Sequence, residues 1–166
     1  MCEQPPYSLL VRGIEADVLP VCAKYGMGVI SWSPLAGGWL SGRWRKGVEP
    51  PRSSRAERIP QRFDLSLPAN QRKLEAADAL ARLAEERGMS LVELAIAWVI
   101  NHPAITSAII GPRTMEQLES QLPAADRRLE PELLDAIDGI VAPGTTINPV
   151  DAGYTPPSLE ASFRRR

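Results

Sequence analysis

Three short apolar runs separated by helix-patterned stretches restrict this chain more than any other feature. The first, Tyr7-Ser8-Leu9-Leu10-Val11, lies between Pro5-Pro6 and Arg12-Gly13 and predicts a strand. The second, Gly28-Val29-Ile30-Ser31-Trp32-Ser33, is apolar enough to be covered on both faces, as parallel strands are. Ser107-Ala108-Ile109-Ile110-Gly111 is the third. Helical spacing fills the intervals. It predicts a helix over residues 15–25, whose start Pro20 should displace or kink, and another over 70–87 stopped by Gly88. Ser90-x-x-Glu93 is a capping-box pattern opening a helix over 90–100 that is apolar all round. Thr114-x-x-Gln117 opens a further helix ending by Pro123, and Pro131 fits the first position of a last one. Strand and helix in alternation imply a parallel sheet. Three such strands leave two open edges, yet the second strand and the helix at 90–100 are written for full burial. The sequence is therefore expected to be part of a larger structure.

Composition narrows the chemistry. The chain has 166 residues, with 19 Lys and Arg against 20 Asp and Glu, so a net charge of -1 exerts no global pull on nucleic acid or an anionic membrane. Cys2 and Cys22 cannot form a disulfide framework and fit a reducing, cytoplasmic setting. No apolar run approaches the roughly 18 residues of a membrane helix, and the first residues show no signal-peptide pattern. His102, the only histidine, stands at the predicted end of the apolar helix, where the dipole and donation to free carbonyls favour it. That structural role outweighs a catalytic triad, and a zinc site lacks ligands. There is no P-loop, and Gly26-Met27-Gly28 fails as a Rossmann fingerprint because Ser31 stands at the third glycine position.

Ligand chemistry is expected in the turns that follow each strand. After the second come Trp32-Ser33-Pro34-Leu35-Ala36-Gly37-Gly38-Trp39-Leu40-Ser41-Gly42. Small residues here admit close approach of backbone to a phosphate, and a Trp offers a face for a flat ring. A tight turn around a core Trp fits the same residues. After the third strand, Gly111-Pro112-Arg113-Thr114 enters a helix, which combines free N–H groups with a guanidinium suited to a 2′-phosphate. Gln117 and Gln121 lie one and two turns on. Residues 43–69 read as one long proline-rich loop. Its first twenty residues carry Arg43, Arg45, Lys46, Arg52, Arg55, Arg58 and Arg62 against Glu49 and Glu57, a local balance of +5. Only Trp44 and Phe63 accompany that charge, so a clamp over a polyphosphate cofactor is favoured over nucleic acid. Residues 143–166 form a proline-rich, extended tail expected to dock only in part.

Together these motifs resemble the C-terminal half of the aldo-keto reductases, NADPH-dependent enzymes built on a (β/α)8 barrel. Gln4-Pro5-Pro6-Tyr7-Ser8-Leu9-Leu10 is similar to that family's sixth strand. The stretch from Gly26 to Gly42 resembles the seventh strand with its cofactor loop, and Ile109 to Leu118 the eighth. The resemblance implies an α/β fold comprising strands six to eight and their helices over residues 1–142, with the clamp loop at 43–69. It implies NADP(H) as cofactor and a small aldehyde or ketone as substrate. Gln4 would bond the nicotinamide carboxamide and Trp32 would stack on its ring. Ser33, Pro34, Leu35 and Gly37 would meet the pyrophosphate, with Ser41 and Arg43 nearby. Gly111, Arg113 and Thr114 would serve the 2′-phosphate, and Gln117 and Gln121 the adenosine, although the family usually has Asn near position 121. The family's catalytic Asp, Tyr, Lys and His precede its sixth strand; Tyr7, Tyr25, Tyr154 and His102 match none of them. The chain is thus expected to be a C-terminal fragment carrying the cofactor platform without the proton donor. Pairing with an N-terminal half, or self-association, would cover its open edges. The alternative is a non-enzymatic NADPH-binding or protein-interaction module.

Overall fold

The second apolar run forms the middle of a three-stranded parallel sheet. In a computed structural model describing residues 1–153, 157 and 161–163, β1 (Cys2–Glu3) and β3 (Ser107–Ile109) flank β2 (Gly28–Trp32). Glu3 stands opposite Val29, Ile30 opposite Ser107, and Trp32 opposite Ile109. Val29 and Ser31 are fully buried, whereas Gly28, Ile30 and Trp32 are only half-buried. The expectation that this strand is covered on both faces is therefore met on one face only. Ile109 on β3 remains 44 % exposed.

The first predicted strand is displaced. Pairing with β2 runs through residues 2–7, not 7–11: Trp32 donates its backbone N–H to Pro5 O at 3.1 Å, and Tyr7 donates to Trp32 O at 3.2 Å. Pro6 can sit between them because an edge strand does not need its missing N–H. Tyr7 to Val11 instead form a tight turn in which Ser8 and Val11 exchange backbone hydrogen bonds, with Leu9 and Leu10 fully buried. A short apolar run marks burial, and here periodicity could not separate strand from buried turn.

The helices follow their caps. α1 (Val18–Tyr25) starts later than predicted because Pro20 must lie in the first turn, where no intrahelical N–H is required. α3 (Pro68–Glu86) starts two residues earlier than predicted, with its own proline in the first turn. α4 (Leu91–Asn101) has both halves of the capping box: Glu93 N–H donates to Ser90 Oγ at 3.1 Å, and Ser90 N–H donates to the Glu93 carboxylate at 2.9 Å. Seven of its residues, from Leu91 to Val99, are buried. α5 (Met115–Gln121) and α6 (Pro131–Ile140) complete the set, apart from a short helix, α2 (Ser54–Arg58), inside the long loop.

That loop is more ordered than its composition suggested. Trp44 and Phe63 are buried, and Trp39 stacks on both, at 4.0 and 5.8 Å between ring centroids. The Lys73 ammonium lies 4.5 Å from the Trp39 ring with no solvent exposure. It donates to Arg62 O at 2.8 Å and to Asp151 at 2.7 Å, while Arg62 Nε donates to the other Asp151 oxygen at 2.5 Å. Burial pushes the Lys73 pKa down and the Asp151 charge opposes it. The start of the tail is likewise docked rather than extended: Ile147 N–H donates to Leu10 O, Asn148 donates to Asn70 at 2.8 Å, and residues 149–152 form a 3-10 turn. Tyr154 and the terminal Arg164-Arg165-Arg166 lie outside the described residues.

A second polar network braces the turn at residues 7–11. Tyr7 donates its hydroxyl to Glu15 at 2.7 Å, and Arg12 pairs with Glu15 at 2.9 Å and Asp138 at 2.7 Å. Burial, then the bond to Glu15, raises the Tyr7 pKa strongly. His102 caps α4 with its ring edge-on to Tyr7; its Nδ1 accepts from Ala104 N–H at 3.1 Å rather than donating to a carbonyl, as expected from sequence.

Two stability measurements check this account. By urea unfolding, Ser90→Ala should cost about 1 kcal/mol through the lost cap, and Leu94→Ala about 2–5 kcal/mol through a cavity; equal losses would contradict the burial of α4. Burial also lowers the His102 pKa, so the unfolded chain, titrating near pH 6.5, binds the extra proton first as pH falls. This contribution is present above about pH 6.5 and lost below it. His102→Gln should flatten the stability slope just below about pH 6.5, and an unchanged slope would contradict the assignment.

Candidate functional site

β2 and β3 are parallel neighbours, so their C-terminal ends open on the same side of the sheet. A groove of about 960 Å³ lies there, near the upper end for small-ligand sites. Its wall includes Trp32, Ser33, Pro34, Leu35, Gly37, Ser41 and Arg43 from the turn after β2, and Gly111, Arg113, Gln117 and Gln121 from the segment after β3. Two residues expected at the site, Gln4 and Thr114, are not in this wall. Gln4 is exposed, and its backbone carbonyl accepts from the Trp32 indole N–H at 3.2 Å. Thr114 caps α5, accepting from Gln117 N–H at 3.3 Å.

The two readings of the Trp-containing turn divide between its two tryptophans. Trp32 is half-buried in the groove, whereas Trp39 is 1 % exposed and belongs to the core, donating its indole N–H to Arg62 O. The backbone between them is wound tightly. Ser33 and Ala36 adopt positive φ values of 59° and 49°, which costs non-glycine residues on the order of 1–2 kcal/mol each. Gly37 follows at 70°; a Cβ there would lie 3.5 Å from the Phe63 ring and 3.9 Å from an Arg55 nitrogen. Ser41 fixes the far end by donating to Gly38 O at 2.7 Å. Such strain persists only where the surrounding structure holds it in place.

At α5 the chain has already used part of its helix end. Arg113 N–H donates to Gln117 Oε1 at 2.9 Å, so the Gln117 amide is folded back on its own turn. What remains for a ligand is the exposed Arg113 guanidinium and the side chain of Gln121. Gln121 is 7 % exposed, and its Oε1 has no hydrogen-bond partner among the described residues. A buried acceptor without a donor is costly unless something fills that role.

Charge separates the arginines into two groups. Arg43, Arg52, Arg55, Arg58 and Arg113 line the groove against one carboxylate, Glu116, and among the described residues none of the five forms an ion pair. Arg45 and Arg62, from the same basic stretch, are committed to Asp78 and Glu85 and to Asp151. Sequence reasoning saw the loop's charge without this division. Val92 of α4, an apolar groove residue beside Ile109 and Ile110, has no motif in the sequence to mark it. The groove suits a dinucleotide polyphosphate: unpaired guanidinium groups, a free acceptor, an indole and a tightly turned backbone. No cluster able to hold a metal ion occurs among the described residues. Nor is any described helix long and apolar enough to cross a membrane.

Comparison with known proteins identifies a family. The model of the Aldo/keto reductase family matches residues 1–142. The chain is 39% identical over 138 residues to the uncharacterized oxidoreductase YrpG of Bacillus subtilis, covering 83% of this chain and 39% of the relative. It is 37% identical over 143 residues to a probable voltage-gated potassium channel subunit beta of Oryza sativa, covering 84% and 43%. Identity is 30% over 148 residues to the L-glyceraldehyde 3-phosphate reductase of Escherichia coli O157:H7, covering 87% and 42%. The chain thus spans about two fifths of the length of these relatives.

Proposed function

Because the chain belongs to the aldo/keto reductase family, we propose that it holds NADP(H) along the groove and serves the reduction of a small aldehyde or ketone to an alcohol. The carrying observation is the convergence of both strand exits on one groove with five arginines that form no ion pair among the described residues. In this reading β1 to β3 are strands six to eight of an eight-stranded barrel, residues 1–142 are its C-terminal portion, and residues 143–166 are a tail. When bound, NADPH supplies the hydride. The chain's own residues bind and orient. Trp32 backs the nicotinamide ring, and Gln4 reaches its carboxamide from the neighbouring strand. The backbone of Ser33, Pro34, Leu35 and Gly37 faces the pyrophosphate, with Ser41, Arg43 and the arginines of α2 around it. Arg113, beside Gly111 and Thr114, takes the 2′-phosphate; Gln117 and Gln121 flank the adenosine.

Proton donation to the carbonyl oxygen is assigned to the rest of the barrel. Tyr7 is unsuited to it, being buried, bonded to Glu15 and raised in pKa. Tyr25 is exposed at the end of α1 and lines no part of the groove. This reading places the protein in a reducing cytoplasm, where its two free cysteines persist.

Fluorescence titration with NADPH and NADH tests the proposal. Arg113→Ala should weaken NADPH by about 10- to 150-fold, equivalent to about 1.5–3 kcal/mol for a charged hydrogen bond, and leave NADH unchanged. An equal loss for both, or none, would refute the 2′-phosphate role. The purified chain alone should consume no NADPH with 4-nitrobenzaldehyde; turnover would show that it carries its own proton donor.

A further inference from the structure

One segment touches both the basic loop and the nicotinamide end of the proposed site. Residues 146–153 are anchored to the body by a backbone bridge between Thr146 and Val11 and by Asn148, which donates to Asn70 and to Gln61 O. Asp151, 3 % exposed, then divides its carboxylate between Arg62 and Lys73. Arg62 flanks, with Arg55 and Arg58, a smaller cavity of about 330 Å³ that shares Ser33 and Gly37 with the main groove. Two residues on, Gly153 lies against Trp32. A Cβ on Gly153 would be 3.1 Å from Trp32 Cζ2 and 3.4 Å from Pro6 Cγ, and its φ of +88° already disfavours any other residue. The indole nitrogen is bonded to the Gln4 carbonyl, and Gly153 leaves room for the benzene ring that any larger residue would crowd.

We propose that residues 146–153 form a strap that positions the cofactor site, with Asp151 and Gly153 as positioning residues: Asp151 fixes the loop through Arg62, and Gly153 fixes the plane of Trp32. Neither residue lines the groove. Their effect is confined to the pyrophosphate and nicotinamide end, whereas Arg113 and Gln121 sit on the segment after β3, which among the described residues shares no side-chain hydrogen bond or ion pair with the strap. This rests on the NADP(H) reading above.

Adenosine 2′,5′-bisphosphate separates the two ends, because it carries the 2′-phosphate and adenosine but no nicotinamide. Both probes are titrated against the full chain, together with thermal unfolding. Gly153→Ala, a surface change that crowds Trp32 and whose cost to the fold the thermal unfolding reads, should raise the Kd for NADPH at least fivefold and change that for the bisphosphate less than twofold. Asp151→Asn should do the same where it folds. Leu133→Ala, a core change in α6, should lower the melting temperature without altering the ratio of the two affinities. Equal weakening of both probes by Gly153→Ala, or no weakening of either, would overturn the strap. If Arg113→Ala leaves both probes unaffected, or the wild-type chain binds neither, the NADP(H) reading fails and the strap with it. If Arg113→Ala weakens both while Gly153→Ala weakens neither, only the strap fails.

Discussion

The buried carboxylate of Asp151 holds together three parts of the chain with little else in common. Arg62 ends the basic loop, Lys73 lies in the second turn of α3, and Asp151 belongs to the tail. An ammonium with no solvent exposure is tolerable only with a charged partner and full hydrogen bonding, and removing one member of such a pair typically costs about 3–5 kcal/mol. Around it Trp39, Trp44 and Phe63 form a stacked wall, and the Trp39 and Lys73 side chains both donate to Arg62 O. The loop from 43 to 69, which carries few aliphatic residues, is ordered by this polar and aromatic centre in place of an aliphatic core.

That centre decides which charges remain for a ligand. Arg45 and Arg62 are neutralised by carboxylates of α3 and the tail. Arg52, Arg55 and Arg58, carried on or beside α2, form no ion pair among the described residues and line the groove together with Arg113. The turn after β2 contributes shape more than charge. Its positive φ values at Ser33, Ala36 and Gly37 bring backbone to the groove surface, with Phe63 and Arg55 closing behind Gly37. Loop, turn and α5 line one groove, and the buried network ties the end of the basic stretch at Arg62 to α3 and the tail.

Several elements are settled by local rules acting alone. The capping box at Ser90 and Glu93, the all-apolar α4 and the second and third strands were legible because pattern and cap settle them. The groove residues were legible because strand exits are where parallel sheets bind ligands. Failures came where tertiary partners decide. Tyr7 to Val11 carry strand-like residues but fold as a turn braced by Glu15 and Arg12. Lys73 and Asp151, 78 positions apart, give no sign in sequence of forming a buried pair. Gln117 lines the groove after β3, and the local bond from Arg113 N–H to its Oε1 is a use that its capping-box spacing also allows.

Hydrogen exchange of the full chain with and without NADPH tests the central claim most directly, since it reads where the cofactor touches. The account predicts slowed exchange in both separated segments, residues 33–58 and 111–121, with α6 unchanged. Protection of only one segment, or of neither at saturating NADPH, would contradict a single dinucleotide groove built from both strand exits.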